Sequence, residues 1–334
     1  MSILVTGASG HVGFTLVQHL IRQGRRVRTL TRYRTPYLAP LPVEFVDGDL
    51  CEKESLHAAF AGVDVVYHVA ASISLLPGAA PHLTRVNVLG TRNIVDLCRE
   101  HGVRRLVYFS TLEALRTDPL DSPVDELRPL VGDDFPLAYS RTKAMATSLV
   151  LNAMASGLDA VVIYPSAVIG PNDYRQAAGN WLLLQLAFGN LPVLLPGGYN
   201  WVDVRDVVAG AVQAEQYAPP GASYVLSNQW ASLQDIARMV HAAGGPRPPR
   251  LLIPAAIAGW AALPAEWLAR LLRKHAFFTR HALYTVRVNN HQVSHQRATA
   301  DLGYQPRPLQ ETVADTLAWF EQIGKSIRNE EPSP

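Results

Sequence analysis

The first half of the chain alternates short apolar runs with stretches in which apolar residues recur every three to four positions. The runs are ILVTG (3–7), RVRTLT (26–31), VEFVDGD (43–49), VDVVYHVA (63–70), RLVYFS (105–110) and DAVVIYP (159–165). Most are almost continuously hydrophobic, as strands covered on both faces of a parallel sheet must be. The stretches 12–23, 85–101 and 136–156 between them carry helical periodicity. Strands alternating with helices through right-handed crossovers predict an α/β chain built on a doubly wound parallel sheet.

Beyond Pro165 the rhythm changes. Gly and Pro punctuate GPNDY (170–174), LPGGYN (195–200) and APPG (218–221), and longer helices are expected over 203–217, 231–243 and 308–322. The pattern predicts a dinucleotide-type unit over 1–165 and a smaller, more irregular lobe over 166–325, with the helix near 203–217 able to pack on the first unit's sheet. The polar tail SIRNEEPSP (326–334) is expected to be disordered.

Composition narrows the function classes. A chain of 334 residues, 48% hydrophobic, can bury a large core. A net charge of +2 with scattered arginines argues against a nucleic-acid partner. Arg25, Arg26 and Arg28 cluster, but a surface turn explains them as well as a phosphate site does. The two cysteines, Cys51 and Cys98, have no metal-type spacing. No metal is expected, and lone thiols point to a reducing, cytoplasmic compartment. The first apolar run begins too early to follow a leader peptide. The most lipid-like stretch, LLIPAAIAGWAALPAEWLARLL (251–272), is broken by two prolines, a glutamate and an arginine. It is too interrupted to span a bilayer and is expected to be a buried or amphipathic helix, with a membrane-surface helix as the alternative.

TGASGHVG (6–13) follows the first strand and opens a helix. Gly7 permits a tight turn, Gly10 lets the backbone approach a pyrophosphate, and Gly13 lets helix and strand pack closely. The helix N-terminus then faces the anionic phosphates. At the first strand-to-helix turn of an alternating chain, this spacing predicts a dinucleotide site. An NAD-preferring site places an acid at the end of the second strand, on the ribose 2′-hydroxyl. Here that strand ends in Thr31-Arg32, and no Asp or Glu follows until Glu44. A guanidinium suits a 2′-phosphate, so Arg32 favours NADP(H), with NAD(H) as the alternative.

In YSRTK (139–143), Tyr139 and Lys143 lie four apart, on one face of a helix. An ammonium beside a phenol should lower the phenol's pKa and fit it for proton exchange with an alcohol or carbonyl. Ser110 and Thr111, just past the strand 105–110, offer a hydroxyl to hold the reacting oxygen, since ligands of open α/β sheets bind at strand carboxyl ends.

Together these residues resemble the extended short-chain dehydrogenase/reductase family, also called the NAD-dependent epimerase/dehydratase family, and look most like its dihydroflavonol-4-reductase-like members. The resemblance covers nearly the whole chain: GDL (48–50), HVAA (68–71), VNVLGTRNIV (86–95), FST (109–111), YPSAVIGP (164–171), NWVDVRDVV (200–208) and DLGYQPRP (301–308) match its landmarks. It implies a Rossmann-type fold with a small C-terminal substrate-binding lobe. It implies a catalytic Thr111, Tyr139 and Lys143, with Thr111 rather than Ser110 as the catalytic hydroxyl. It also implies cofactor contacts from Gly7, Ser9, Gly10, His11, Val12 and Gly13, from Asp49 and Leu50, from Val69, Ala70 and Ala71, and from Lys143, Tyr164, Pro165 and Ser166. Family members often dimerise through helices like 85–101 and 136–156, which leaves a homodimer open.

Departures from the family pattern bear on the substrate. Tyr199 stands about where sugar-nucleotide enzymes carry a diphosphate-binding arginine. Thr111-Leu112-Glu113 lacks the aspartate of the dehydratases' Asp-Glu pair, and Glu113 receives no role. The aromatic residues Trp260, Trp267, Phe277, Phe278 and Tyr284 suit an apolar ring substrate, or ordinary lobe packing. The expected activity is NADP(H)-dependent interconversion of carbonyl and alcohol on a small hydrophobic or aromatic molecule. Alternatives are a sugar epimerase holding NAD, a 3β-hydroxysteroid dehydrogenase-like enzyme, and a dinucleotide-sensing regulator.

Overall fold

The computed structural model describes residues 1–74, 78–249, 251–253 and 290–324. In chain order the elements are β1 (Ser2–Thr6), α1 (His11–Arg22), β2 (Arg26–Thr31), β3 (Glu44–Asp47), α2 (His57–Phe60), β4 (Val65–His68), α3 (Ala80–Leu83), α4 (Gly90–Glu100), β5 (Arg105–Phe109), α5 (Ala138–Ala155), β6 (Ala160–Pro165) and β7 (Ala167–Ile169). There follow α6 (Ala178–Ala187), β8 (Val193–Leu194), β9 (Gly198–Asp203), α7 (Val204–Tyr217), β10 (Ser223–Leu226), β11 (Gln229–Ser232), α8 (Leu233–Ala242), β12 (Leu251–Leu252), α9 (Gln296–Leu302) and α10 (Leu309–Gln322). The segment Thr84–Leu89 is wound more widely than an α-helix and joins α3 to α4.

The apolar runs form one parallel sheet of seven strands in the order β10-β6-β5-β4-β1-β2-β3. Its residues alternate between two cores, as the two-residue period of a strand requires. Ile3, Val5, Val107 and Ile163 point toward α1 and α7. Leu4, Val66, Leu106, Tyr108 and Val162 point toward α4 and α5. Both faces are thus buried, which is why the runs read as continuously hydrophobic. Strand order reverses between β1 and β4, where Thr6 stands opposite His68. The crevice beyond the carboxyl ends of these two strands is the topological switch point.

Two elements beyond Pro165 belong to this layer. α7 packs Val207, Val208 and Ala211 into the α1-side core. β10 adds an edge strand, with Ser223 opposite Val162. Its four residues are too short to stand out from the turns around them, so no sequence pattern announced it. The free edge of β10 is protected: the Glu126 carboxylate accepts from the Val225 N–H at 2.6 Å.

The remaining strands form a three-stranded sheet in the order β11-β9-β7 and a small β12-β8 pair. They share a separate core of Ile169, Leu183, Trp201, Ile236, Val313 and Leu317 with α6, α8 and α10. Asp203, fully buried at the end of β9, caps α7 by accepting from the Arg205 N–H at 2.7 Å. Arg205 bridges from Asp203 to Asp315, and Arg307 pairs with Asp206, so α7 is tied to the α10 region. Most of the apolar stretch 251–272, the five aromatic residues from Trp260 to Tyr284 and the tail 326–334 lie outside the described residues. Among the described residues no helix is long and apolar enough to cross a membrane, and no three His, Cys, Asp or Glu side chains are grouped to hold a metal ion.

Candidate active site

The glycine turn lies at the switch point. Gly7 has φ +74°, and a Cβ there would stand 2.7 Å from the Ala70 backbone. A Cβ on Gly13 would stand 2.1 Å from the Gly7 carbonyl oxygen. Packing therefore demands both glycines. Gly10 is different: its φ is −85°, and a Cβ would meet its first neighbour at an ordinary 3.4 Å. Among the described residues nothing requires glycine at that position. Gly10 is also the N-cap of α1, with no side chain capping the first turn. Its bare backbone leaves room and open N–H donors for an anionic group, as a pyrophosphate site requires. The residues present fit a dinucleotide.

A buried hydrogen-bond chain fixes the turn against β4 and α4. The Ala70 N–H donates to Thr6 Oγ1 at 3.3 Å, and Thr6 Oγ1 meets His68 Nδ1 at 2.8 Å. His68 Nε2 meets Thr91 Oγ1 at 3.0 Å, and Thr91 donates to the Asn87 carbonyl at 2.6 Å. Because Thr91 spends its hydrogen on Asn87, His68 carries its proton on Nε2 and accepts from Thr6 on Nδ1. Burial, then the nearby charge of Lys143, lowers the His68 pKa to about 3. His68 is therefore a neutral strut. Asn87 extends the frame, donating to the Ser72 carbonyl and to Thr142 Oγ1 and accepting from the Ser72 N–H. The spacing of VNVLGT gives no sign of this cross-linking.

Arg32 is exposed at the end of β2. Asp49 lies within its field and that of Arg85, and the Asp49 carboxylate accepts from the Cys51 N–H at 2.8 Å. That backbone hydrogen bond is the main reason the Asp49 pKa is lowered. Glu44, the first acid after β2, pairs with Arg28 at 2.9 Å. Leu50 packs under Gly90, and its carbonyl accepts from Asn93. Val69, Ala70 and Ala71 follow β4 beside Gly7.

α5 and the end of β5 bring the three expected catalytic residues together. Thr111 lies close enough to the Tyr139 phenol to pull its pKa down. Its Oγ1 also accepts from the Glu113 N–H at 3.3 Å and so caps the turn Leu112–Ala114. Ser110 is turned the other way, buried, with Oγ 2.6 Å from Thr147 Oγ1. Lys143 donates to the Phe109 carbonyl at 2.7 Å and lies 4.7 Å from the Tyr108 ring centroid.

The electrostatics differ from the expectation for this pair. Burial first, then the Glu113 carboxylate and Tyr108, hold the Tyr139 phenol above its ordinary range, against the lowering pull of Thr111. Lys143 is committed to the β5 end instead, and burial lowers its own pKa to about 7. The i, i+4 spacing placed the two residues on one helix face but could not say where the ammonium would turn. Glu113, without a role in the sequence reading, sits close by and accepts from Ser140 Oγ at 3.2 Å.

The depressed Lys143 pKa has a stability consequence. Between pH 7 and the ordinary lysine value of 10.5, the unfolded chain binds more protons than the folded one, so this site's penalty is full below pH 7 and fades toward pH 10.5. Lys143→Met is expected to unfold at a higher temperature than the wild type at pH 6, with the gap narrowing steadily toward pH 10. Thermal unfolding of the two proteins across that range checks this, and a pH-independent gap would refute it.

The remaining expected cofactor residues divide. The Tyr164 ring lies in the α5-side core, 2% exposed, and burial raises its pKa. Only its backbone could face a ligand. Pro165 ends β6, and Ser166 Oγ is buried with no hydrogen-bond partner among the described residues. Such an orphaned hydroxyl beside the crevice suits a ligand contact. Tyr199 packs edge-on against Trp201 at 5.3 Å. Val12 packs on the α1-side core, and Ser9 and His11 are held from outside the turn, as described below.

Known proteins resemble this chain in sequence and fold. The sequence model of the NAD-dependent epimerase/dehydratase family matches residues 3–227. Sterol demethylase protein B of Methylococcus capsulatus is 32% identical over 97% of this chain and 99% of its own. A Synechocystis protein provisionally named dihydroflavonol 4-reductase is 32% identical over 96% of this chain and 94% of its own. The crystal structure of gox2253 superposes with a TM-score of 0.83 at 33% identity, covering 97% of this chain and 99% of that one.

Proposed function

Because the chain belongs to the NAD-dependent epimerase/dehydratase family of nicotinamide-dependent enzymes, we propose that it is an NADP(H)-dependent oxidoreductase that interconverts a ketone and an alcohol on a small hydrophobic ring molecule. The observation that carries this reading is the meeting of Thr111 and Tyr139 at the end of β5, next to the switch-point crevice. The glycine turn and the α1 N-terminus would hold the pyrophosphate, and Ser166 with the backbone after β6 would contact the nicotinamide side. The bound cofactor supplies or accepts a hydride. The protein's own residues handle the oxygen and its proton. Thr111 holds the substrate oxygen, and Tyr139 gives it a proton in reduction and takes one in oxidation. A phenol held above its ordinary range is the protonated form at neutral pH, which suits the reductive direction. Lys143, anchored on the Phe109 carbonyl, would hold the ribose.

The names of the sterol and flavonol relatives support an apolar ring substrate. Tyr199, where sugar-nucleotide enzymes carry a diphosphate-binding arginine, argues against a sugar nucleotide, since buried phosphate charge needs a matched partner. Arg32 and the engagement of Glu44 with Arg28 support NADP(H). NADPH should therefore bind more tightly than NADH, and Arg32→Ala should narrow the gap by roughly tenfold, as expected for loss of a charged hydrogen bond. Fluorescence titration with both nucleotides checks this, and a wild type that prefers NADH would refute the assignment to Arg32.

A further inference from the structure

The glycine turn is held on its outer side by a loop that the cofactor reading does not use. His11, the first residue of α1, is buried, and its Nε2 donates to the Pro171 carbonyl at 2.9 Å. A carbonyl only accepts, so that nitrogen carries the hydrogen. Tyr37, in the connection after β2, donates its hydroxyl to the Ser9 carbonyl at 2.8 Å. Its ring stacks on Tyr174 with centroids 4.3 Å apart and planes 3° from parallel. Both rings meet Phe14 of α1 edge-on, at 5.4 and 5.3 Å. Trp319 of α10 backs Tyr174 at 5.0 Å. Two residues of the turn, Ser9 and His11, are thus tied to the loop 170–177, one through Tyr37 and one directly.

That loop is itself firmly built. Asp173, fully buried, accepts from the Arg175 N–H, the Ala177 N–H at 2.6 Å and Asn180 Nδ2 at 3.0 Å. Asn180, also fully buried, closes on both backbone groups of Gly170, at 3.1 and 2.8 Å. Inside this frame Asn172 and Gln176 hold φ of 72° and 52°. Left-handed conformations at two non-glycine residues persist only where their surroundings impose them. The strained segment carries Pro171, which bonds His11 of the turn, and Tyr174, on which Tyr37 stacks.

We propose that His11 is a positioning residue for the dinucleotide, and that the loop 170–177 clasps the turn and so governs how fast the dinucleotide leaves. The inference rests on the dinucleotide reading of the turn. The donors there are backbone N–H groups, so their aim depends on how the turn is held. A turn fixed in its binding shape binds at lower entropic cost, and the benefit appears as slower release. The clasp links the loop after β7, on the substrate side, to the pyrophosphate end of the crevice.

The experiment is displacement of bound NADPH followed by stopped-flow fluorescence, with equilibrium titrations of NADPH and of adenosine 2′-monophosphate, a fragment without the pyrophosphate. His11→Leu removes the donor, and His11→Gln retains an N–H at nearly the same reach. His11→Leu is expected to release NADPH about tenfold faster with a matching loss of affinity, the change expected for one buried hydrogen bond. Its affinity for adenosine 2′-monophosphate should be unchanged. His11→Gln should stay within about twofold of the wild type. Tyr37→Phe, which keeps the stack and loses only the bond to Ser9, should release several-fold faster and carries the test if His11→Leu does not fold. Equal release by wild type and the variants would overturn the clasp, as would an equal loss of affinity for the fragment, which marks general damage. A wild type that binds neither NADPH nor NADH removes the dinucleotide reading itself, a result distinct from clasp failure.

Discussion

Tyr139→Phe is expected to bind NADPH as the wild type does and to lose turnover by roughly 10²- to 10⁴-fold, the contribution of a positioned acid/base. That loss corresponds to about 3–5 kcal/mol of transition-state stabilisation. The substitution keeps the ring in place on α5 beside Thr111 and removes only the oxygen proposed to exchange the proton. Since the phenol is held above its ordinary range, wild-type alcohol oxidation should rise toward alkaline pH, while ketone reduction stays level through neutrality. The variant should lose this pH dependence along with the rate. Steady-state kinetics and nucleotide titration on the same preparation check the split. Near-normal turnover in Tyr139→Phe would remove Tyr139 from the proton-transfer role.

The glycine turn supplies a second large effect and its own control. In Gly13→Ala the new methyl would lie 2.1 Å from the Gly7 oxygen and 2.7 Å from the Gly7 carbonyl carbon, both backbone atoms that no rotamer change can move. α1 must shift away from the turn. Overpacking of this kind costs about 1–3 kcal/mol or more, and the displaced N-terminus should no longer bind the dinucleotide. Gly10→Ala should behave differently, because its methyl meets the Gly7 oxygen at 3.4 Å and its backbone suits any residue. That variant should melt close to the wild type and still lose affinity. Thermal unfolding with NADPH titration distinguishes the pair, and Gly13→Ala with wild-type stability and affinity would contradict the packing account.

Much of this was legible in the sequence because its signals are local. β2 spans the same residues as the run RVRTLT, and β1, β5 and β6 lie within a residue of theirs at each end. Strands buried on both faces and helices with a clear apolar stripe announce themselves. The glycine turn and the placement of Tyr139 and Lys143 on one helix were readable because their spacings are fixed within one turn or one helix. What sequence could not supply was the direction in which side chains turn once distant elements meet. Lys143 goes to the Phe109 carbonyl, 34 positions away in the chain, and His11 to Pro171, 160 away. The Thr6–His68–Thr91 chain likewise depends on β1, β4 and α4 meeting. β10 and the β11-β9-β7 sheet were missed because strands of three to six residues set among Gly and Pro carry too few positions to show a period.

The central claim is net redox on a carbonyl carbon, and one measurement tests it most directly. Purified protein is mixed with NADPH and a panel of alicyclic and aromatic ketones, nucleotide oxidation is followed against alcohol formed, and UDP binding is measured by calorimetry on the same sample. The expected result is one NADPH consumed for each alcohol produced, nucleotide that exchanges freely between turnovers, and weak UDP binding at the site where Tyr199 stands. Micromolar UDP affinity, or interconversion of a sugar nucleotide with no net change in NADPH, would contradict the oxidoreductase reading and favour an epimerase.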